Sequence, residues 1–72
     1  MRLAELRERA GLTQAEVAAR MGTAQPNVSR LECLPVREVS QRQLRRYLGA
    51  LGADLVLVAT TSAGDEIALT AP

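Results

Sequence analysis

Four side chains with recognition chemistry lie within six consecutive residues: Gln25, Pro26, Asn27 and Arg30. The Gln25 amide can donate and accept at once, which matches N6 and N7 of adenine. The Arg30 guanidinium suits O6 and N7 of guanine, or a phosphate if its helix docks obliquely. Asn27 can serve a base edge or a phosphate, and the Pro26 ring can touch a thymine methyl. The bland alternative is a solvated helix face. Competing chemistries find little support. There is no histidine, only one cysteine and no phosphate-cradling glycine loop. Neither an enzyme nor a metal or cofactor site is expected from such a set.

These side chains can read a duplex only if a helix holds them outward. Residues 13–32, TQAEVAARMGTAQPNVSRLE, predict two short amphipathic helices, Gln14 to Met21 and Gln25 to Glu32, with Gly22 and Thr23 between them. Gly22 sits where a left-handed backbone costs glycine least. Ala18 is small enough to let the second helix cross closely, while Val28 and Leu31 fall three apart and point into the core. Ala15, Val17, Ala18, Val28 and Leu31 are therefore expected to be structural. Thr13 followed by Glu16 forms a capping box for the first of the pair. This pattern describes a helix-turn-helix, with sequence-specific DNA binding as the leading expectation.

The stretch GLTQAEVAARMGTAQPNVSRLE resembles the operator-reading core of the Xre/Cro family of repressors. The later stretch LRRYLGALGADLVLV is similar to the HigA-like antitoxins of toxin–antitoxin pairs. The resemblance implies a mainly α fold, a lambda-repressor-like bundle of about four helices with a C-terminal β-hairpin. It implies that Gln14 holds a phosphate and that Pro26 faces DNA. Thr23 and Arg37 are further phosphate candidates. It also implies a homodimer on a pseudo-palindromic operator, with recognition helices about 34 Å apart. Such an antitoxin represses its own operon and sequesters an mRNA-cleaving toxin; a stand-alone phage-type repressor without a toxin is the alternative. Ala24 stands where the family commonly has a Ser or Thr cap, so Thr23 is expected to cap one residue early. Relatives often carry residues upstream of the first helix, so a trimmed form is expected.

Charge divides the chain. Residues 1–50 hold all nine basic residues, every one an arginine, against five acids, a net of +4; residues 51–72 hold Asp54, Asp65 and Glu66 and no base, a net of −3. A basic helical part and an acidic tail suggest separate partners, with the tail as the guess for a basic toxin. Seventy-two residues make a marginal core, and Cys33 is the only cysteine, so self-association is the remaining support. No apolar run approaches the roughly twenty residues of a membrane span, and charges interrupt the N-terminus, so a soluble cytoplasmic protein is expected.

Leu3, Leu6 and Ala10 place a first helix over Arg2 to Ala10, with Glu5 and Arg9 able to pair. ECLPVREV reads as a loop, in which Cys33 is an apolar filler or a partly exposed thiol. Ser40 and Gln43 cap a fourth helix whose stripe is Leu44, Tyr47, Leu48 and Leu51, closed by Gly52. Gly49 within it suggests close packing. Arg45 and Arg46 face a phosphate, a protein or solvent. Residues 1–52 thus form the DNA-binding domain. Residues 53–72 form a hairpin, with a strand over residues 54–60, a turn at 62–65 and a strand over 66–70. An isolated hairpin is marginal in water. Val56 and Val58, or Leu55 and Leu57, are therefore expected to meet a second chain, together with Ile67; a tail folded on its own helices is the alternative.

Overall fold

The computed structural model describes residues 2–69. Four α-helices are followed by one antiparallel hairpin: α1 Leu3–Arg9, α2 Gln14–Met21, α3 Gln25–Cys33, α4 Gln41–Ala50, β1 Leu57–Thr60 and β2 Glu66–Leu69, with a 3-10 turn at Val36–Glu38. The mainly α bundle with its C-terminal hairpin is as expected.

Local chemistry explains the helix ends. The Thr13 hydroxyl accepts from the Glu16 N–H at 3.1 Å, and the Glu16 carboxylate accepts from the Thr13 N–H at 2.9 Å. Hydrogen bonding to the carboxylate from Thr13, its backbone N–H first and its side chain second, holds the Glu16 carboxyl below its usual pKa. Gly22 ends α2 with φ 70°, a left-handed geometry that a side chain would strain. Ser40 caps α4 by accepting from the Gln43 N–H at 3.1 Å. Two arginines cover the other helix ends reciprocally. Arg20 donates to the Ala50 carbonyl at 3.0 Å, and Arg46 donates to the Met21 carbonyl at 2.6 Å. Each cation meets the negative end of the other's helix.

The core centres on Tyr47, Val17 and Val28, ringed by Leu3, Ala18, Leu31, Val39, Leu44 and Leu48. Several expectations need correction. Ala15 is exposed, because the inward stripe of α2 runs Gln14, Val17, Ala18 and Met21 and leaves Ala15 a step to the side. Thr23 does not cap α3. Ala24 is the cap residue and offers no side chain, while the Thr23 hydroxyl accepts from the Asn27 amide at 2.8 Å. Glu5 turns back to the Arg2 N–H at 3.3 Å, and the single salt bridge among the described residues joins Arg7 and Glu32, not Glu5 and Arg9. Nothing lies within 4 Å of where a Gly49 Cβ would sit, so close packing is not the reason for that glycine. Cys33 is an exposed thiol in the last turn of α3.

In the hairpin, Leu57 faces Leu69, Val58 faces Ala68 and Ala59 faces Ile67. Opposed residues share a face, so Leu57, Ala59, Ile67 and Leu69 form one side and Val58 and Ala68 the other. Leu55 packs at the rim of the core, and Leu57 and Ala59 are half-buried. Val56, Val58, Ile67 and Leu69 remain 64, 53, 52 and 53% exposed. The molecule is elongated, 43 × 23 × 21 Å, with a radius of gyration of 13.7 Å. A compact chain of this length would have about 11 Å. The first strand begins at Leu57 rather than at Asp54, and Thr70 lies outside the described residues.

Candidate nucleic-acid interface

The inward arc of α3 carries Val28, Leu31 and Glu32, all buried. One helical period places Pro26 and Arg30 on the opposite arc and Asn27 at its edge, while Gln25, seven residues before Glu32, projects from the first turn on the Glu32 side; all four are exposed. A string of hydrogen bonds crosses this surface. Arg30 Nη1 approaches Asn27 Oδ1 at 3.5 Å, and Asn27 Nδ2 donates to Thr23 Oγ1 at 2.8 Å. Thr23 is thereby tied to the recognition helix, with its hydroxyl proton still available. Arg37 is exposed in the 3-10 turn after α3, away from the helix itself.

Gln14 stands differently from a free surface residue. Its Nε2 donates to Glu32 Oε1 at 2.8 Å, and its Oε1 accepts from Gln25 Nε2 at 3.4 Å. The second Gln14 N–H is the one left for a phosphate. Arg46, another phosphate candidate, has Nη2 committed to the Met21 carbonyl.

Behind this surface lies a polar cluster absent from the sequence-based expectations. Glu32 is 8% exposed. Its carboxylate accepts from Arg7 Nε at 2.7 Å, Arg7 Nη2 at 3.3 Å, Gln14 Nε2 at 2.8 Å and the Tyr47 hydroxyl at 2.5 Å. The Tyr47 hydroxyl has a single proton, and the nearby anion takes it in preference to the Leu3 carbonyl at 3.1 Å. Burial alone would raise the Glu32 pKa, but hydrogen bonds from Arg7, Tyr47 and Gln14, with the Arg7 charge, hold it below the usual carboxylate range. The hydrogen bond to Glu32 raises the Arg7 pKa, so the pair stays ionic. Burial, then the hydrogen bond and charge of Glu32, pushes Tyr47 up and keeps it neutral. Every buried side-chain polar atom among the described residues has a partner. One signal was present in the sequence: Glu32 lies four residues after Val28 and one after Leu31, on the same inward arc.

Among the described residues no group of His, Cys, Asp and Glu is placed to hold a metal, and no helix is long and apolar enough to cross a membrane.

A helix-turn-helix domain family matches residues 1–60. Two Mycobacterium tuberculosis proteins, named as antitoxins HigA3 and HigA2, are 44% identical over 59 residues and 40% identical over 65. These matches take in 81% and 90% of this chain but only 54% and 62% of the relatives, so the chain spans little more than half their length. A solved structure of DNA-bound antitoxin HigA3 superimposes with a TM-score of 0.86 at 40% identity, covering 100% of this chain and 92% of that one. A second, described as showing induced DNA bending by unique dimerisation of HigA antitoxin, gives 0.84 at 41% identity, covering 97% and 92%. The chain belongs to this helix-turn-helix domain family, on its HigA branch.

Proposed function

We propose that this chain is a sequence-specific DNA-binding repressor, the antitoxin of a toxin–antitoxin pair that acts on its own operon and neutralises an mRNA-cleaving toxin. The observation that carries the reading is the exposure of Gln25, Pro26, Asn27 and Arg30 on α3 while Val28, Leu31 and Glu32 anchor that helix in the core. In this reading those four side chains meet base edges. Gln14, Thr23 and Arg37 meet phosphates, and the net charge of +4 over residues 1–50 supplies the attraction to the duplex. Support also comes from the likeness to a DNA-bound HigA3 at 40% identity.

The chain works as a cytoplasmic homodimer on a pseudo-palindrome. The exposed apolar residues Val56, Val58 and Ile67, with Leu57 beside them and Leu55 at the root, form the contact with the second copy. A hairpin this bare gains stability when its apolar faces are covered. The toxin arm rests on the likeness to proteins named as antitoxins.

A reporter driven by the DNA upstream of the chain's own gene tests the repressor arm. Wild type should silence it and Arg30→Ala should not. Co-expression with the product of the adjacent gene tests the other arm. Growth arrest relieved by this chain supports the antitoxin role, and a neighbour with no effect on growth or translation removes it.

A further inference from the structure

We infer that Glu32 is a positioning residue for base reading: through Gln14 it sets which way round the Gln25 amide faces the duplex. The inference rests on the DNA-reading role proposed above. A glutamine amide is nearly symmetric in shape, so packing alone does little to choose between its two flips; hydrogen bonding must choose. The choice starts at Glu32, whose ionised carboxylate has only acceptors. Gln14 approaches it at 2.8 Å and must therefore turn its nitrogen inward. That leaves Gln14 Oε1, an acceptor, toward Gln25, 3.4 Å from its side-chain nitrogen. Gln25 must then turn its own nitrogen toward Gln14. Its Oε1 and its second N–H remain unengaged, in a fixed order. Adenine offers an N6 donor and an N7 acceptor in a fixed order of its own, so the two flips of the amide are not equivalent before it.

The anchor of the relay cannot itself turn over. Glu32 is held by Arg7 at 2.7 Å and by the Tyr47 hydroxyl at 2.5 Å, and its side chain is 5% exposed. A buried, fully bonded carboxylate thus fixes the polarity of an exposed amide two links away. Gln14 does more in this arrangement than touch a phosphate, because it carries the polarity from the core to the surface.

The test is a binding matrix. Wild type, Gln25→Ala, Gln14→Met and Glu32→Gln are titrated against duplexes in which each base pair of the best site is changed in turn. Gln25→Ala identifies the pair that Gln25 reads, where wild type should discriminate roughly tenfold or more. Gln14→Met keeps the Glu32 carboxylate with Arg7 and Tyr47, and its folding is checked by circular dichroism. The relay predicts that Gln14→Met and Glu32→Gln lose discrimination at that one pair, to within about twofold, and keep it at the pair read by Arg30. Should Glu32→Gln fail to fold, Gln14→Met still tests the link through which Glu32 would act, and discrimination retained in that variant would overturn the relay. Weakening of Gln14→Met by the same factor on every duplex would overturn the relay and leave a plain phosphate contact, with the DNA-reading role intact. A wild-type chain with no base preference anywhere would overturn both.

Discussion

Arg7 on α1 and Glu32 near the end of α3 meet at 2.7 Å across 25 residues of sequence. Their contact pins the first helix to the recognition helix inside a core that also takes the Tyr47 hydroxyl. Removing one partner strands the other charge. Glu32→Ala should cost about 3–5 kcal/mol. That is a large share of the roughly 4–11 kcal/mol expected of a domain this size. Arg7→Met with Glu32→Leu should lose less than the two single changes summed, because no charge is left unpaired. Urea midpoints measure this, and strict additivity would contradict it.

The same cluster sets a stability window in pH. Glu32 has its pKa lowered in the folded state, so its contribution is full above the ordinary carboxylate value, about 4.3, and is lost as pH falls through the lower folded value. Tyr47 has its pKa raised, so its contribution is full below about 10 and is lost as pH climbs beyond. Thermal midpoints should be level between roughly pH 5 and 9 and fall on either side. Tyr47→Phe should lower the plateau by about 1 kcal/mol and flatten the alkaline limb, since this is the only tyrosine. An unchanged alkaline limb in that variant would count against the assignment.

Opposite faces of α3 should fail in different ways. Leu31 is 7% exposed, and Leu31→Ala should cost about 2–5 kcal/mol of stability. Arg30 is exposed, and Arg30→Ala should leave the melting temperature nearly unchanged while weakening specific DNA binding by about 1–3 kcal/mol. Paired melting and binding curves separate the two effects. Wild-type affinity for the best site in Arg30→Ala would remove that residue from the interface.

The hairpin should control assembly. Val58 and Ile67 lie on opposite faces and are both about half exposed. Placing Asp at either position introduces a charge that a dry interface cannot accommodate. Sedimentation velocity should show a dimer for wild type and a monomer for at least one of Val58→Asp and Ile67→Asp, with helicity unchanged. A dimer in both variants would move the contact elsewhere.

Where local geometry decides, the sequence was legible. Thr13 and Glu16 announce the start of α2 within three residues, and Gly22 announces its end, with a φ of 70°. The outward placement of Arg30 on α3 followed from the offsets of Val28 and Leu31. The misses came from long-range partners. Nothing near Glu32 reveals that Arg7, 25 residues earlier, and Tyr47, 15 residues later, make burial of its charge tolerable. Thr23 has a capping residue's chemistry, yet Asn27, one turn on, competes successfully for its hydroxyl. The resemblance makes Gln14 a phosphate contact, but its bonds to Glu32 and Gln25 show only once the chain is folded. In the hairpin, alternation marked the strands but could not show how little of them the helices would cover.

The most direct test of DNA reading is fluorescence anisotropy of the purified chain on DNA from upstream of its own gene, against a scrambled duplex, across a salt series. The account predicts tight binding to the first duplex only, with affinity falling steeply as salt rises. Equal, weak binding to both duplexes would contradict it.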